Sequence, residues 1–411
     1  MTFLIRASSY MQLWCFQHPN VLTDMLLSIL YFIDLMLYIR QGARKFLTRR
    51  SEILGPNYAA LGRLIVGEYY AVTSLIKSPQ HQGVFLRPAR LLRNRLPADL
   101  LLFLADKEAG VSGQHKAFHD YIWNSLLIQA QNRSPEPRLQ KLIDELVHSA
   151  QQYGSTPDAK SISPNVQRMV IRYLMLVILE VTVNETQVEA IRKLFCTGGS
   201  TADYMFKTIT PYALPGFMLH SLQNNIDEIV LLIQRSPVLK DYFPSVANHY
   251  LNKQQWSYLL LSIVGIAALR NGVDLATYVL SEIPSDFPID TSDNILVQRA
   301  VLEIARCHAP VNMVNVITPQ LMSFEVAGKA CYFPKGTVLA ACIGLANQDI
   351  RQFPDPAAFN PDRDNLMSAM ISFNSVDFHA TDYAGWYTCP GPKIVLSMCA
   401  DLLVTWRNAV S

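Results

Sequence analysis

Residues 303–306 of this chain read Glu-Ile-Ala-Arg, residues 353–363 read Phe-Pro-Asp-Pro-Ala-Ala-Phe-Asn-Pro-Asp-Arg, and residues 389–392 read Cys-Pro-Gly-Pro. Each stretch is a weak indicator alone, because an ExxR tetrad arises by chance in many helices and a single cysteine is usually a small buried hydrophobe. Their order towards the C-terminal end of the chain is more informative. Together, the three stretches decide the expected fold.

The first stretch places an acid and a base on one face of a helix. Glu303 and Arg306 are three residues apart, and the apolar residues around them predict a helix that enters a core, not an exposed ion pair. A guanidinium can hold this carboxylate and still donate to carbonyls of a following turn, where Arg363 can join the same carboxylate. The pattern predicts a buried Glu-Arg-Arg cluster.

The third stretch predicts the beginning of a helix. Cys389 precedes Pro390-Gly391-Pro392 and an apolar run over residues 394–406, and proline is favoured in the first turn of a helix. A sulfur at this point lies near the positive end of the helix dipole. We therefore expect the thiolate form of Cys389 to be favoured over the thiol.

In this order, the stretches resemble the cytochrome P-450 superfamily, whose haem-thiolate enzymes carry ExxR, then a PxR turn, then the cysteine ligand. The resemblance implies a mainly α fold with a minor β-sheet and a bound haem (iron protoporphyrin IX). It makes Cys389 the axial iron ligand, and Glu303, Arg306 and Arg363 structural supports of the haem site. A thiolate on iron favours O–O cleavage. The substrate is expected to be hydrophobic, because the walls of such pockets are apolar.

Composition narrows the class of protein. The chain has 411 residues, 50% of them hydrophobic, which suffices for one large core or two smaller ones. A net charge of +2 gives no case for nucleic acid as a partner. The seven cysteines are odd in number and show no metal-ligand spacing, and the nine histidines form no HExxH pair, so zinc is not supported. We expect a reducing, intracellular compartment.

Hydrophobic periodicity predicts mostly helices. Residues 139–153 are amphipathic, residues 166–183 are long and very apolar, and residues 254–283 form the pattern of one long buried helix. Two short strands, over residues 329–333 and 337–343, follow the ExxR helix. Surface loops are predicted at residues 132–138 and 153–164.

The N-terminal end allows two expectations. Residues 21–39 are largely apolar but carry Asp24 and Asp34, and an aspartate near the centre of a membrane span costs about 2.5–3.5 kcal/mol. The first expectation is an anchor of the microsomal P-450 type, and the second is an amphipathic helix of the soluble domain or one lying on a membrane surface. We assign residues 1–50 to this segment and residues 51–411 to the haem-thiolate domain. Basic residues with no acid among them follow the apolar run: Arg40, Arg44, Lys45, Arg49 and Arg50.

The helix expected to cross over the haem departs from the family. Monooxygenases of the superfamily carry an acid and an alcohol there, which relay protons to iron-bound dioxygen. Gly265 lies 38 residues before Glu303, and in this register the acid and alcohol positions are Ala267 and Ala268. A methyl group neither gives nor takes a proton. In the same alignment, we expect Gly265 to leave space above the haem iron.

A second register stays open. Gly272 is the alternative glycine, followed by Asp274 and Thr277, with looser spacing to the ExxR helix. Asn271 is also a candidate, because its surroundings faintly resemble the Asn-containing helix of fungal diol-synthase-type haem domains. A lone helical asparagine is more often solvent-facing or capping.

The cysteine loop departs as well. The family usually has an aromatic residue seven positions before the cysteine, whereas here that position is Asp382, and Phe373 lies sixteen residues before Cys389. Tyr387 stands where an arginine is usual. A longer loop resembles the allene oxide synthase and hydroperoxide lyase branch, whose members also lack the acid–alcohol pair. That branch's glycine-rich stretch is not found.

Cations for the haem propionates are few. The family usually has His-x-x-x-Arg on an early helix, and this chain has His115, Lys116 and His119 at that place. Histidine is a weaker and pH-dependent substitute for a guanidinium. We expect haem to be held less tightly than usual, and more weakly as pH rises. Only 22 residues follow Cys389, so the pocket is expected to be more open or the chain shortened.

Three functions follow from these observations. The leading hypothesis is rearrangement or dehydration of a fatty-acid hydroperoxide, which needs neither reductase nor dioxygen. The second is a reductase-dependent monooxygenase of a lipid, terpenoid or polyketide. The third is a haem-poor accessory protein without catalysis.

Overall fold

The computed structural model describes residues 2–77 except 19, residues 126 and 130, residues 137–196 except 155–156, residues 227–240, residues 252–375 except 285, 319, 327–328 and 336, and residues 389 and 391–410. The chain divides into two compact units. The first comprises Met1–Val84, Ala305–Phe359 and Arg363–Thr388, and the second comprises Phe85–Ile304, Asn360–Asp362 and Cys389–Ser411.

The first unit begins with three helices. They are α1 (Thr2–Gln17), α2 (Val21–Gln41) and α3 (Ala43–Leu54). Asn20 caps α2, since its side chain accepts the Thr23 N–H while the Thr23 hydroxyl accepts the Asn20 N–H. Gly42 separates α2 from α3 with a φ of 80°, a conformation that glycine adopts at little steric cost.

Two small sheets follow in the same unit. Their strands are β1 (Asn57–Ala60), β2 (Arg63–Val66), β3 (Val314–Ile317), β4 (Met322–Val326), β5 (Lys329–Phe333) and β6 (Val338–Ala341). Four strands lie in the order β1-β2-β6-β3, with β2 and β6 parallel and the other two pairs antiparallel. The strands β4 and β5 form a separate antiparallel pair.

Short helices complete the first unit. They are α4 (Tyr69–Lys77), α11 (Ile343–Ala346), α12 (Leu366–Ala369) and α13 (Ser372–Ser375), numbered in chain order with the helices of the second unit. The core that they share with the sheet contains Val66, Val72, Leu339 and Phe353. α13 packs against α4, and α11 packs against α3 and α4.

The second unit is helical in its described part. Its helices are α5 (Pro137–Ala150), α6 (Ala159–Leu179), α7 (Glu185–Phe195), α8 (Lys253–Ser262), a π-helical segment (Ile263–Leu269), α9 (Arg270–Glu282), α10 (Asn294–Cys307, of which the last three residues belong to the first unit) and α14 (Pro392–Val410). α6 is buried along most of its length and packs against α5, α7, the π-helical segment and α9. α14 packs against α5 and α9.

The structure confirms a mainly α fold with a minor β-sheet, and β5 has the predicted bounds. The predicted loop at residues 153–164 is too long, because Asp158 caps α6 by accepting the N–H groups of Lys160 and Ser161. The loop predicted at 132–138 likewise ends early, since α5 begins at Pro137. The long helix predicted over residues 254–283 is present but changes from α to π geometry at Ile263–Leu269.

A buried carboxylate ties α2 to the rest of the first unit. Asp34 is buried, and it accepts hydrogen bonds from Gln12 Nε2 (2.8 Å), from Arg50 Nη2 and from the Leu61 N–H (3.0 Å). Leu61 occupies the tight turn between β1 and β2 with a φ of 54°, which is sterically unfavourable for leucine. Residues 2–54 therefore pack on the β1–β2 hairpin through α1, α2 and α3.

Among the residues that the structure describes, three helices are long and apolar enough to cross a membrane by length and composition alone. Within these windows, 72% of Ala159–Leu179 and 71% of Trp256–Glu282 are buried inside the protein, whereas only 22% of Val21–Tyr38 is. Packing within the second unit accounts for the apolar character of the first two. It does not account for that of α2.

Candidate active site

Glu303 lies in the interior, as the sequence predicted. It is fully buried on α10, and its Oε1 atom accepts the Asn360 N–H at 3.0 Å. A neighbouring base on the same helix, Arg299, donates to the Pro361 carbonyl at 2.8 Å. Within the second unit, α10 thus holds the short segment 360–362 by its backbone at two points.

Arg306 is fully buried and holds backbone carbonyls of the first unit. Its guanidinium donates to the carbonyls of Asn347 (2.7 Å) and Pro356 (2.9 Å). The same group lies 5.1 Å from the centre of the Phe353 ring, within the range of a cation–π contact. A delocalised planar cation with five donors suits this role better than lysine would.

Arg363 binds the same loop from its other end. It donates to the carbonyls of Pro354, Asp355 (2.7 Å) and Ala358 (3.0 Å). Arg306 also approaches the Ala358 carbonyl, at 3.5 Å. The two arginines therefore converge on residues 354–358, and Asp355, with a φ of 46°, is held in a left-handed conformation between them.

Asn347 and Ser372 extend this network and were missed by the sequence analysis. Asn347 is buried, accepts the Ile371 N–H at 3.1 Å and donates to Ser372 Oγ at 2.9 Å. Ser372 in turn donates to the Ala305 carbonyl at 2.8 Å. Neither residue lies in a recognisable motif, so no local signal marks it.

Cys389 lies where the sequence predicted, just before α14 begins at Pro392. Its thiol is half-buried, and burial raises its pKa to about 11 even though the Gly391 N–H, at the helix start, lowers it. The expected dipole effect on the free thiol is therefore outweighed by desolvation. A metal ion that binds sulfur displaces the proton from it.

Cys389 is suited to a metal ion that takes only one ligand from the protein. All seven cysteines are free, and no group of three or more His, Cys, Asp and Glu side chains that could hold a metal occurs in the described residues. A polydentate zinc site would need such a group. Haem iron needs one axial side chain and takes its other ligands from the porphyrin, so Cys389 fits it.

The predicted distal stretch coincides with the π-helical segment. Gly265, Ala267 and Ala268 all lie within Ile263–Leu269, and π-helical turns are frequent at functional sites. Gly265 contacts the ring of Phe195, from the C-terminal end of α7: a Cβ atom at residue 265 would lie 2.5 Å from that ring. On this side the room that glycine leaves is taken by Phe195, a residue that sequence reasoning missed.

The alternative register places its glycine in a helix contact. A Cβ atom at Gly272 would lie 3.3 Å from Val170 of α6 and 3.8 Å from Met398 of α14. Asp274 follows on α9, where burial raises the pKa of its carboxyl to about 6 against the opposing effect of Arg270. Thr277 is buried, and its hydroxyl has no hydrogen-bond partner among the described atoms. Gly272 therefore serves a close contact between helices of the second unit.

The structure describes only some of the remaining candidate residues. Asn271 is half-buried in the first turn of α9. Several residues lie outside the described part of the chain: His115, Lys116, His119, Asp382 and Tyr387.

No protein-family model matches this chain, and no curated protein matches it. Solved structures are similar over most of their length. Epothilone D-bound cytochrome P450epoK is 16% identical, with a TM-score of 0.64 over 89% of this chain and 88% of that one. Retinoic acid-bound cyanobacterial CYP120A1 is 14% identical, with a TM-score of 0.60 over 90% and 88%. P450BioI in complex with an acyl carrier protein ligated to hexadec-9Z-enoic acid is 12% identical, with a TM-score of 0.57 over 90% and 91%.

Sequence identities this low establish that the fold is similar, and they do not establish the activity or the substrate. The chain has the cytochrome P450 fold, which confirms the fold expected from the three sequence stretches.

Proposed function

We propose that this protein is a haem-thiolate oxidoreductase of the cytochrome P450 type that acts on a hydrophobic, lipid-like small molecule. One observation carries the proposal: a half-buried cysteine, Cys389, stands immediately before the helix α14 in a chain with this fold. Cys389 would hold the iron of the haem. Bound there, a thiolate-ligated haem supplies cleavage of an O–O bond.

The residues of the chain have separate tasks under this proposal. Glu303, Arg306 and Arg363 are buried and fix the backbone of residues 354–360 through hydrogen bonds. The Gly391 N–H, which lowers the pKa of the Cys389 thiol, would stabilise the thiolate. His115, Lys116 and His119 are proposed to neutralise the propionates. Asn271, near the distal stretch, is proposed to contact the substrate.

The side chains of the distal stretch favour a substrate that brings its own O–O bond. Val264, Gly265, Ala267 and Ala268 offer no group that could donate or accept a proton. Dioxygen activation needs protons delivered to the distal oxygen, whereas rearrangement of an organic hydroperoxide does not. We therefore propose rearrangement or dehydration of a fatty-acid hydroperoxide as the reaction.

A reductase-dependent monooxygenase is the second candidate. Structures similar to this chain were solved with erythromycin B, epothilone D or retinoic acid bound. Such a reaction would use a redox partner as well as dioxygen. None of the seven cysteines forms a disulfide, which supports an intracellular location where either reaction could operate.

The carbon-monoxide difference spectrum of the reduced protein tests the haem proposal. A strongly red-shifted Soret band should be present, absent in Cys389→Ala, and retained in Cys331→Ala, which removes a buried cysteine from β5. Protein that takes up no haem after addition of hemin, or a band unchanged in Cys389→Ala, would overturn the proposal. The first of these outcomes would favour the accessory protein.

Substrate turnover separates the two reactions. Under nitrogen and without reductant, a linoleic acid hydroperoxide should be consumed by the wild type and not by Cys389→Ala. Product formation only with NADPH, a redox partner and dioxygen would reject the hydroperoxide reaction and support the monooxygenase.

A further inference from the structure

The helix α2 exposes a continuous apolar stripe. Seven large hydrophobic side chains on it are 38% to 78% exposed, and their spacing of three, four or seven residues places them on one face of the helix. The opposite face carries the buried residues Thr23, Asp34 and Leu35. The stripe consists of Val21, Leu22, Met25, Ile29, Phe32, Ile33 and Met36.

The helix α1 repeats this arrangement. Its buried face carries Ile5, Ser9, Gln12 and Cys15, and it packs against α2 and β1. Its other face exposes five large side chains: Phe3, Leu4, Tyr10, Met11 and Trp14. We call the exposed stripes of α1 and α2 together the N-terminal apolar face. Exposed apolar surface on this scale marks a binding surface.

This face cannot cross a membrane while the first unit stays folded. Asp34 is 1% exposed and accepts three hydrogen bonds, from Gln12, Arg50 and the Leu61 backbone. A spanning α2 would separate this carboxylate from Arg50 and Leu61 and leave charges unpaired in a medium of low dielectric constant. Because these buried contacts hold one side of α2 on the folded unit, the helix can meet a lipid surface only along its length, parallel to that surface.

The basic residues at the C-terminal end of the stripe indicate the charge of the lipid that it binds. Arg40 follows Met36 by four residues, so it continues the same face, and it is exposed. Arg44 and Lys45 are exposed just beyond it, at the start of α3, and no acidic residue occurs between Asp34 and Glu52. Anionic phospholipid head groups complement such a basic cluster.

We infer that the N-terminal apolar face docks in the plane of an anionic lipid surface, with α1 and α2 partly immersed and neither helix spanning. The inference does not depend on the haem or on the reaction proposed above. It commits to a peripheral, one-sided contact, which differs from both a transmembrane anchor and a freely soluble domain.

Flotation of the full-length protein with vesicles tests this attachment. The protein should bind vesicles that contain phosphatidylserine, and the double variant Ile29→Ser/Phe32→Ser should lower the partition coefficient about tenfold or more. The matched control Leu321→Ser/Ile350→Ser removes two equally exposed apolar side chains outside the face and should bind as the wild type does. The variant Arg40→Ala/Lys45→Ala should lose about tenfold on anionic vesicles at low salt and little on neutral ones.

Tryptophan fluorescence reports the depth of immersion. Trp14 is exposed on α1, whereas Trp256 and Trp406 are buried. The chain has five tryptophans, so the part of the quenching by brominated lipids that Trp14→Phe abolishes reports Trp14, and this part should be present. Shallow bromines should quench more than deep ones. Two results would overturn the inference: no binding to anionic vesicles, or a dimer in sedimentation that Ile29→Ser/Phe32→Ser dissociates, which would assign the face to a second copy. Labelling of residues 2–17 and 43–54 from opposite sides of a vesicle would show a span and would equally reject it.

Discussion

Two regions of this protein differ in how many charged and polar side chains they contain. Arg306 and Arg363 donate six hydrogen bonds to five backbone carbonyls, four of which belong to residues 354–358. Asn347 donates to Ser372, and both bond to the backbone. The π-helical segment Ile263–Leu269 has no ionisable side chain at all. Charge is therefore concentrated where it orders the backbone, and it is missing from the segment that we propose to lie on the distal side of the haem.

The difference between the two regions shows which part of such a fold can change without unfolding the protein. Removing one member of a buried charged network leaves the other members without partners, which is costly. Exchanging one small apolar side chain for another in a helix costs little by comparison. The chemistry of the distal stretch can thus vary while the arginine network keeps the fold.

The largest expected effect comes from breaking the network that Arg306 and Arg363 form. Arg306→Ala should lower the free energy of unfolding by about 3–5 kcal/mol, because the carbonyls of Asn347 and Pro356 lose their buried donor. Arg351→Ala is the matched control, since its guanidinium is 56% exposed and pairs with Glu68 and Asp349 at the surface. It should cost about 1 kcal/mol or less. Urea denaturation measures both, and equal losses would show that burial of the network contributes nothing special.

The next effect is on activity. Ala267→Glu/Ala268→Thr restores an acid and an alcohol, and reductase-dependent turnover with dioxygen should rise about a hundredfold. Ala267→Gln/Ala268→Val has nearly the same shape without the proton-relay groups and should show no such rise. Turnover of a fatty-acid hydroperoxide should change little in either variant. An equal gain in both variants would mean that shape, not proton transfer, limits the reaction.

A smaller effect concerns the close contact at Gly265. Gly265→Ala should cost about 1–3 kcal/mol, because the new Cβ would lie 2.5 Å from the Phe195 ring. Gly272→Ala, with its nearest atom at 3.3 Å, should be close to neutral, since alanine also has the higher helix propensity. Combining Gly265→Ala with Phe195→Ala should recover part of the loss. A double-mutant cycle by thermal denaturation measures the coupling, and additive effects would place the ring elsewhere.

The smallest effect is a pH dependence at Asp274. Burial raises the pKa of its carboxyl from 3.8 to about 6, so the folded protein binds more protons than the unfolded chain between these values. Stability should therefore fall by about 1–3 kcal/mol as pH rises through this window, and stay low above it. Asp274→Asn removes this term and should exceed the wild type in stability near pH 7, as measured by urea denaturation at several pH values. Parallel profiles for both proteins would contradict the burial of this group.

The sequence predicts the parts of this fold that local pattern controls. The ExxR helix, the strand β5 and the start of α14 after Cys389-Pro390 follow from residues within a few positions of one another. Cys389, Arg306 and Arg363 were identified because motif spacing marks them. These residues would be found from any comparable sequence, because capping, periodicity and proline placement act over a single turn.

Other parts depend on contacts between residues far apart in the chain. Phe195 precedes Gly265 by 70 residues, and Ser372 follows Ala305 by 67. The π geometry of Ile263–Leu269 is not visible in a run of Ile, Val, Gly, Ala and Leu, all of which are compatible with an ordinary α-helix. The depth of Asp34 under Arg50 was likewise not predictable, and it decides how α2 is held.

The bond between Asp34 and Arg50 has a practical consequence for handling this protein. Apolar N-terminal helices are commonly deleted to improve solubility, yet a chain shortened to begin after residue 41 would bury Arg50 without its acid and leave the Leu61 and Gly62 N–H groups without the acceptors Asp34 and Gln12. Such a shortened chain should express as aggregate. Solubility is better sought by placing polar side chains at Leu22, Ile29 and Phe32, which leaves every one of these hydrogen bonds in place.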